Sequence, residues 1–258
     1  VLYARPLNNS AFAAPGTKGL WATPYHQTKC FTPDGAGIFL NYREWEHTGN
    51  RTKSRRRPQA ILDLTTGKAS NLFPEQHYLM HISPCTPLAI ILRAENKIPF
   101  VCIYDQAAKS ELASFSLPGW NLQEAHFMAD GRNVVIAHYQ GRHYDEPCFS
   151  RFHLLTPDGK IEEILRIDNH FCNHIQGCPT DSTLYSYNRW PSPKHPREVV
   201  HHVRELFGTF DLELPQKEGT VRPGSIWGGQ RDHYLWMPDG NRIASYFSPV
   251  NSDSKNHF

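Results

Sequence analysis

The segment NHFCNHIQGC, residues 169–178, sets His170, Cys172 and His174 at alternate positions. On an extended strand alternate side chains share a face, so Cys172 and His174 are predicted to point the same way, with His170 able to join them. Thiolate and imidazole together suit zinc or another borderline-soft divalent ion, which takes about four nitrogen or sulfur ligands. One strand offers too few. The later segment GGQRDHYLW, 228–236, supplies Gln230 and His233 as further candidates from a neighbouring element. The same spacing also fits a polar strand that binds nothing.

The elements that would position these residues are legible as a repeat. CFTPDGAGIFLNYRE (30–44), AHFMADGRNVVIAHYQ (125–140), GCPTDSTLYSYNRW (177–190) and YLWMPDGNRIASYFS (234–248) each read as strand, Asp-containing turn and alternating strand, and ISPCTPLAIILRAENK (82–97) is a degenerate copy. Between them lie second hairpins such as QAILDLTTGKASNLF, FVCIYDQAAKSELASFSL and SRFHLLTPDGKIEEILRI. Two hairpins per unit, at a period of roughly 45–60 residues, make the four-stranded blades of an all-β propeller. The chain is predicted to be a single domain, residues 1–258, holding about five blades. With its last unit half complete, it reads as an N-terminal portion of a larger propeller, seven-bladed when whole.

His26, His81, His126, His174 and His233 recur with that period. They are predicted to begin the innermost strands around a central channel. Each returning strand then ends near the same rim, at Arg43 to His47, Arg93, His138 and Tyr139, Tyr187 to Arg189, and Tyr246. A mouth gathering imidazoles, phenols and guanidinium groups is equipped to bind and deprotonate an anionic substrate.

Composition bounds the remaining classes. The formal charge of +2 is too small for a general nucleic-acid binder, and no apolar run is long enough to span a bilayer. Six cysteines without a CxxC pair exclude a disulfide-stapled mini-fold. No leader segment is visible, as in the mature form of a secreted protein.

HIQGCPTDSTLYSY followed by GGQRDHYLWMPDGNRI resembles the oligogalacturonate lyase branch of the propeller polysaccharide lyases. The resemblance implies a divalent metal, manganese or calcium, on His174, Gln230 and His233. Leu235 departs from the pattern, standing where those enzymes carry a further histidine. Cys172-Asn173-His174 is instead similar to the short propeller ulvan lyases, which implies a structural zinc. That second likeness also implies catalytic positions at His26, His47, Tyr78, Arg93, His138 and Tyr139. Arg43, His126, Tyr144 and Arg189 are expected to bind substrate.

β-Elimination from a uronate requires a neutralised carboxylate, a base for the adjacent proton and an acid for the leaving oxygen. Arg93, with His47, is the expected neutraliser; His26 or His138 the base; Tyr139 or Tyr78 the acid. The expected substrate is an acidic, sulfated polysaccharide, ulvan first and oligogalacturonate second, acted on by a secreted or periplasmic monomer without nucleic-acid or membrane partners. A non-catalytic TolB-like or carbohydrate-binding propeller is the alternative. RTKSRRRP (51–58) is read as a solvated loop, His201 and His202 as exposed, and Trp120 among the tryptophans able to stack on sugars.

Overall fold

The computed structural model describes residues 19–22, 32, 34–48, 51–71, 77–141, 148–190, 200–214 and 233–246, with the main chain alone at 19–22, 41–48, 51–60, 69–71, 233–234 and 244–246. Consecutive apolar runs such as LAIIL (88–92) and VVIA (134–137) fold as strands covered on both faces. Eighteen strands form among the described residues, all in antiparallel pairs.

The first blade is β1 (Gly19–Ala22), β2 (Gly37–Thr48), β3 (Arg51–Asp63) and β4 (Ala69–Asn71). The second is β5 (Tyr78–Ile82), β6 (Leu88–Glu95), β7 (Ile98–Asp105) and β8 (Ser110–Phe115). The third is β9 (Asn121–Phe127), β10 (Val134–Gln140), β11 (Phe149–Leu155) and β12 (Ile161–Ile167). The fourth is β13 (Phe171–Gly177), β14 (Leu184–Trp190), β15 (Val200–Glu205) and β16 (Asp211–Glu213), and β17 (His233–Trp236) pairs with β18 (Ile243–Tyr246). Each first strand contacts the first strand of the next blade, in the order β5, β9, β13, β17. This is the β-propeller architecture that the repeat predicts.

The core is a set of layers between blades. Leu88 and Ile90 face the third blade and meet Ala125, Val134 and Ile136, whereas Ala89 and Ile91 face the first and meet Phe39 and Leu79. Met128, Val135, Phe152, Ile175, Tyr185 and Tyr187 fill the next layer. A blade alone would expose both faces, so the array is stable only as a stack.

The hairpin turns clasp one another at one end of this stack. Asp130 Oδ1 accepts the main-chain N–H groups of Arg132 and Asn133, both at 2.9 Å, which shapes the third blade's turn. Thr86 Oγ1, in the second blade's turn, donates to the Gly131 carbonyl at 2.7 Å. Gly131 has φ 62°, and a Cβ there would lie 2.3 Å from Ser83 Oγ, so only glycine allows the contact. At the opposite end Asn96 and Lys97, both with positive φ, make the tight turn between β6 and β7.

Two sequence expectations are corrected. RTKSRRRP is not a loop but part of β3, which pairs with β2 so that Arg55 stands opposite Glu44 and Lys53 opposite Glu46. His201 and His202 are buried on β15; the His202 ring stacks on Tyr187 with centroids 5.0 Å apart, and its Nδ1 lies 2.9 Å from Asp211 Oδ1.

Candidate functional site

The inner strands carry the periodic histidines, but not at the rim. His81 pairs with Ile90 and His126 with Val135, next to the turns, so they lie about 10 and about 16 Å along their strands from the strand starts. Their rings contact each other with centroids 3.8 Å apart, and His126 Nδ1 accepts from the Gly177 N–H at 3.1 Å. The expectation that they open the mouth is therefore corrected by register. Histidines that precede a turn close a strand rather than begin it.

His174 departs from regular alternation. Its φ is 54°, and the β13–β14 pairing shifts between Asn173 and Gln176. A left-handed non-glycine residue inside a strand costs roughly 1–3 kcal/mol and needs support from its surroundings. Glu124 of the neighbouring blade supplies it. Glu124 Oε2 accepts the Ile175 N–H at 2.8 Å, and Oε1 lies 3.6 Å from His174 Nδ1. Burial raises the Glu124 carboxyl to about 7, in the range of acid–base groups that work near neutrality. Sequence reading missed this residue, although a carboxylate two positions before a channel histidine was the available signal.

The bulge also separates the two proposed metal ligands. Cys172 joins Ile175 in the layer between the third and fourth blades, while His174 turns toward Glu124. The Cys172 thiol is 1% exposed and pushed up to about 12 by burial, so in the metal-free chain it stays protonated. His170 Nδ1 lies 2.9 Å from the Asp168 carbonyl and joins neither. Among the described residues no three His, Cys, Asp or Glu side chains gather as a metal site. His233 is described by its main chain in β17, and Gln230 lies outside the described residues. Cys172 and His174, divided by the bulge, do not form one ligand pair among the described residues.

At the rim where the inner strands start, a cleft of about 660 Å³ opens between the second and third blades. Tyr78, at the start of β5, and Tyr139, near the end of β10, both line it. Lys97, Trp120, Asn121 and Gln123 complete its polar and aromatic lining, and none of the described lining residues is a carboxylate. The Arg151 guanidinium packs 4.6 Å from the centre of the Trp120 ring and stiffens that wall.

Two other candidates sit close by without entering the cleft lining. Arg93 is held by Glu95 and by Glu111, whose Oε2 is 2.9 Å from Nε, and it lies over the Phe100 ring. Its charge is already balanced, which corrects its expected role as carboxylate neutraliser. His138 is 2% exposed, packed edge-on against Phe115 and His153, with no hydrogen-bond partner among the described residues for either ring nitrogen. Burial lowers it to about 3, and although its main chain stands opposite Leu122 of the cleft its ring is turned onto Phe115, so it is corrected from candidate base to core residue. Arg189 lies 3.7 Å from Glu213 on the fourth blade. Arg43 and His47 are placed by their main chain on β2, and His26 and Tyr144 fall outside the described residues.

No protein-family model matches the sequence, and no curated protein matches it significantly. Among solved structures, an oligogalacturonate lyase from Vibrio parahaemolyticus is 15% identical with a TM-score of 0.63, over 89% of this chain and 61% of its own. An oligogalacturonate lyase in complex with manganese is likewise 15% identical, with a TM-score of 0.64 and the same coverages. An acylaminoacyl peptidase from Pyrococcus horikoshii is 14% identical with a TM-score of 0.55, over 91% of this chain and 36% of its own. The chain thus spans 61% of the length of the lyases it resembles, and what these likenesses establish in common is the β-propeller fold.

Proposed function

We propose that this chain is part of a propeller polysaccharide lyase that cleaves a uronate-containing polymer by β-elimination. The observation that carries this reading is that Tyr78 and Tyr139, from successive blades, line one rim cleft whose described lining holds a cation and no carboxylate. Elimination needs a group to take the proton beside the uronate carboxylate and a group to protonate the departing glycosidic oxygen. Two phenols lining one cleft can divide those tasks between them, and the described lining sets no carboxylate against an anionic substrate.

Oligogalacturonate takes precedence over ulvan, because two of the similar structures are oligogalacturonate lyases. The protein is proposed to act as a secreted or periplasmic monomer, with further blades completing the ring. A non-catalytic carbohydrate-binding propeller is the second reading. It is favoured by the engagement of Arg93 with Glu95 and Glu111, which removes the expected neutraliser.

The test is the ultraviolet absorbance of the unsaturated uronate product during incubation with oligogalacturonate and, separately, ulvan. The wild-type protein is expected to give a rise that Tyr139→Phe or Tyr78→Phe slows by about 100-fold, the lower range for loss of an acid–base group. Absence of a rise on both polymers would overturn the lyase reading.

A further inference from the structure

We infer that the rim cleft between the second and third blades is a uronate subsite in which Lys97 holds the sugar carboxylate and Trp120 forms the wall against the ring. The inference rests on the lyase reading for its substrate class but not for its binding chemistry.

A sugar-acid ring has two demands: an apolar face wants an aromatic or aliphatic surface, and a carboxylate wants a fixed cation. The cleft offers both in about 660 Å³, enough for more than one pyranose ring, with Tyr78, Tyr139 and Trp120 as its aromatic lining. Asn121 and Gln123, at the start of β9, supply amides that can exchange hydrogen bonds with ring hydroxyls. Lys97 is the one charged residue among the described residues of the lining.

The cation is well placed for this work. Lys97 occupies the tight β6–β7 turn with φ 67°, a conformation shared with Asn96 at 49°, so its backbone is fixed by a hairpin paired as far as Glu95 and Ile98. Arg93, on the same hairpin, takes up Glu95 and Glu111, leaving those acids occupied by another partner than Lys97. Behind the opposite wall, Arg151 packs against the Trp120 ring and pairs with Glu163 at 3.6 Å, so it stiffens the wall while its own charge is balanced. The Lys97 cation favours an anion over a neutral sugar.

The experiment is calorimetric titration of the intact protein with saturated trigalacturonate and with a neutral galactose trimer, beside the absorbance assay for product. Lys97→Asn keeps a residue that tolerates the left-handed turn while removing the charge, and Lys97→Arg keeps the charge. Trigalacturonate is expected to bind more tightly than the neutral trimer, about tenfold more weakly to Lys97→Asn, and near wild type to Lys97→Arg. Equal affinity for the two trimers, unchanged affinity in Lys97→Asn, or no binding of trigalacturonate overturns the subsite. Binding lost through Lys97→Asn without any unsaturated product supports the subsite and sinks the lyase. Product formation with affinity indifferent to Lys97 does the reverse.

Discussion

The two interfaces made by the third blade are built on opposite principles. Toward the second blade, Ile90, Val134 and Ile136 close a dry layer in which even His138 and His153 are held neutral by burial. Toward the fourth, the layer is breached at its channel side, where Glu124 props up the left-handed main chain at His174. The first arrangement gains stability from apolar contact; the second spends some of it to hold a carboxylate and an imidazole at a fixed separation. Groups with perturbed acidity therefore occur in both, but only one pair has geometry as well as chemistry.

Ile136→Ala should break the dry interface, because Ile136 is wholly buried; a loss of about 2–5 kcal/mol is expected in urea unfolding. A loss below 1 kcal/mol would mean that the layer is not the main support. The next largest effect is at His138. Its folded-state value, lowered from 6.5 to about 3, means that the unfolded chain binds more protons in that window, so its stability contribution is lost as pH falls from 6.5 toward 3. His138→Leu should remove that loss and lower the acid-unfolding midpoint by about one pH unit. An unchanged midpoint would place the acid sensitivity elsewhere. The smallest effect is expected at Glu124, where the sign is opposite. Its carboxyl is raised from 4.5 to about 7, so the folded state binds more protons and stability declines as pH rises from 4.5 to 7. Glu124→Gln keeps an acceptor for the Ile175 N–H, costs under about 1 kcal/mol at low pH, and should flatten that decline. A decline that persists in the variant would remove Glu124 as its source.

Much of the fold was legible because its signals are local. Runs such as VVIA and turns such as MADG, each repeated with the blade period, specify strand and connection with little help from distant residues. The site was less legible because it depends on partners far along the chain. Nothing near His174 announces a left-handed residue; the group that holds it, Glu124, belongs to another blade. Cys172 and His174 therefore looked like one face, and a bulge divides them. The charges of RTKSRRRP suggested a loop, yet Glu44 and Glu46 on the paired strand give two of them opposite-charge cross-strand neighbours. Tyr139 was read as a rim residue from the direction of its strand and Tyr78 from the likeness to ulvan lyases, whereas Lys97 was not singled out.

The clasp between Thr86 and Gly131 lies at the far end of the second and third blades from the cleft. The two blades are thus bound like pages along a spine, with spacing fixed at one edge and the other edge free to be furnished. Loops at the open edge can lengthen, shorten or change residues while the spine holds the pitch of the stack. In such a body, specificity can drift at the cleft without the scaffold having to be solved again.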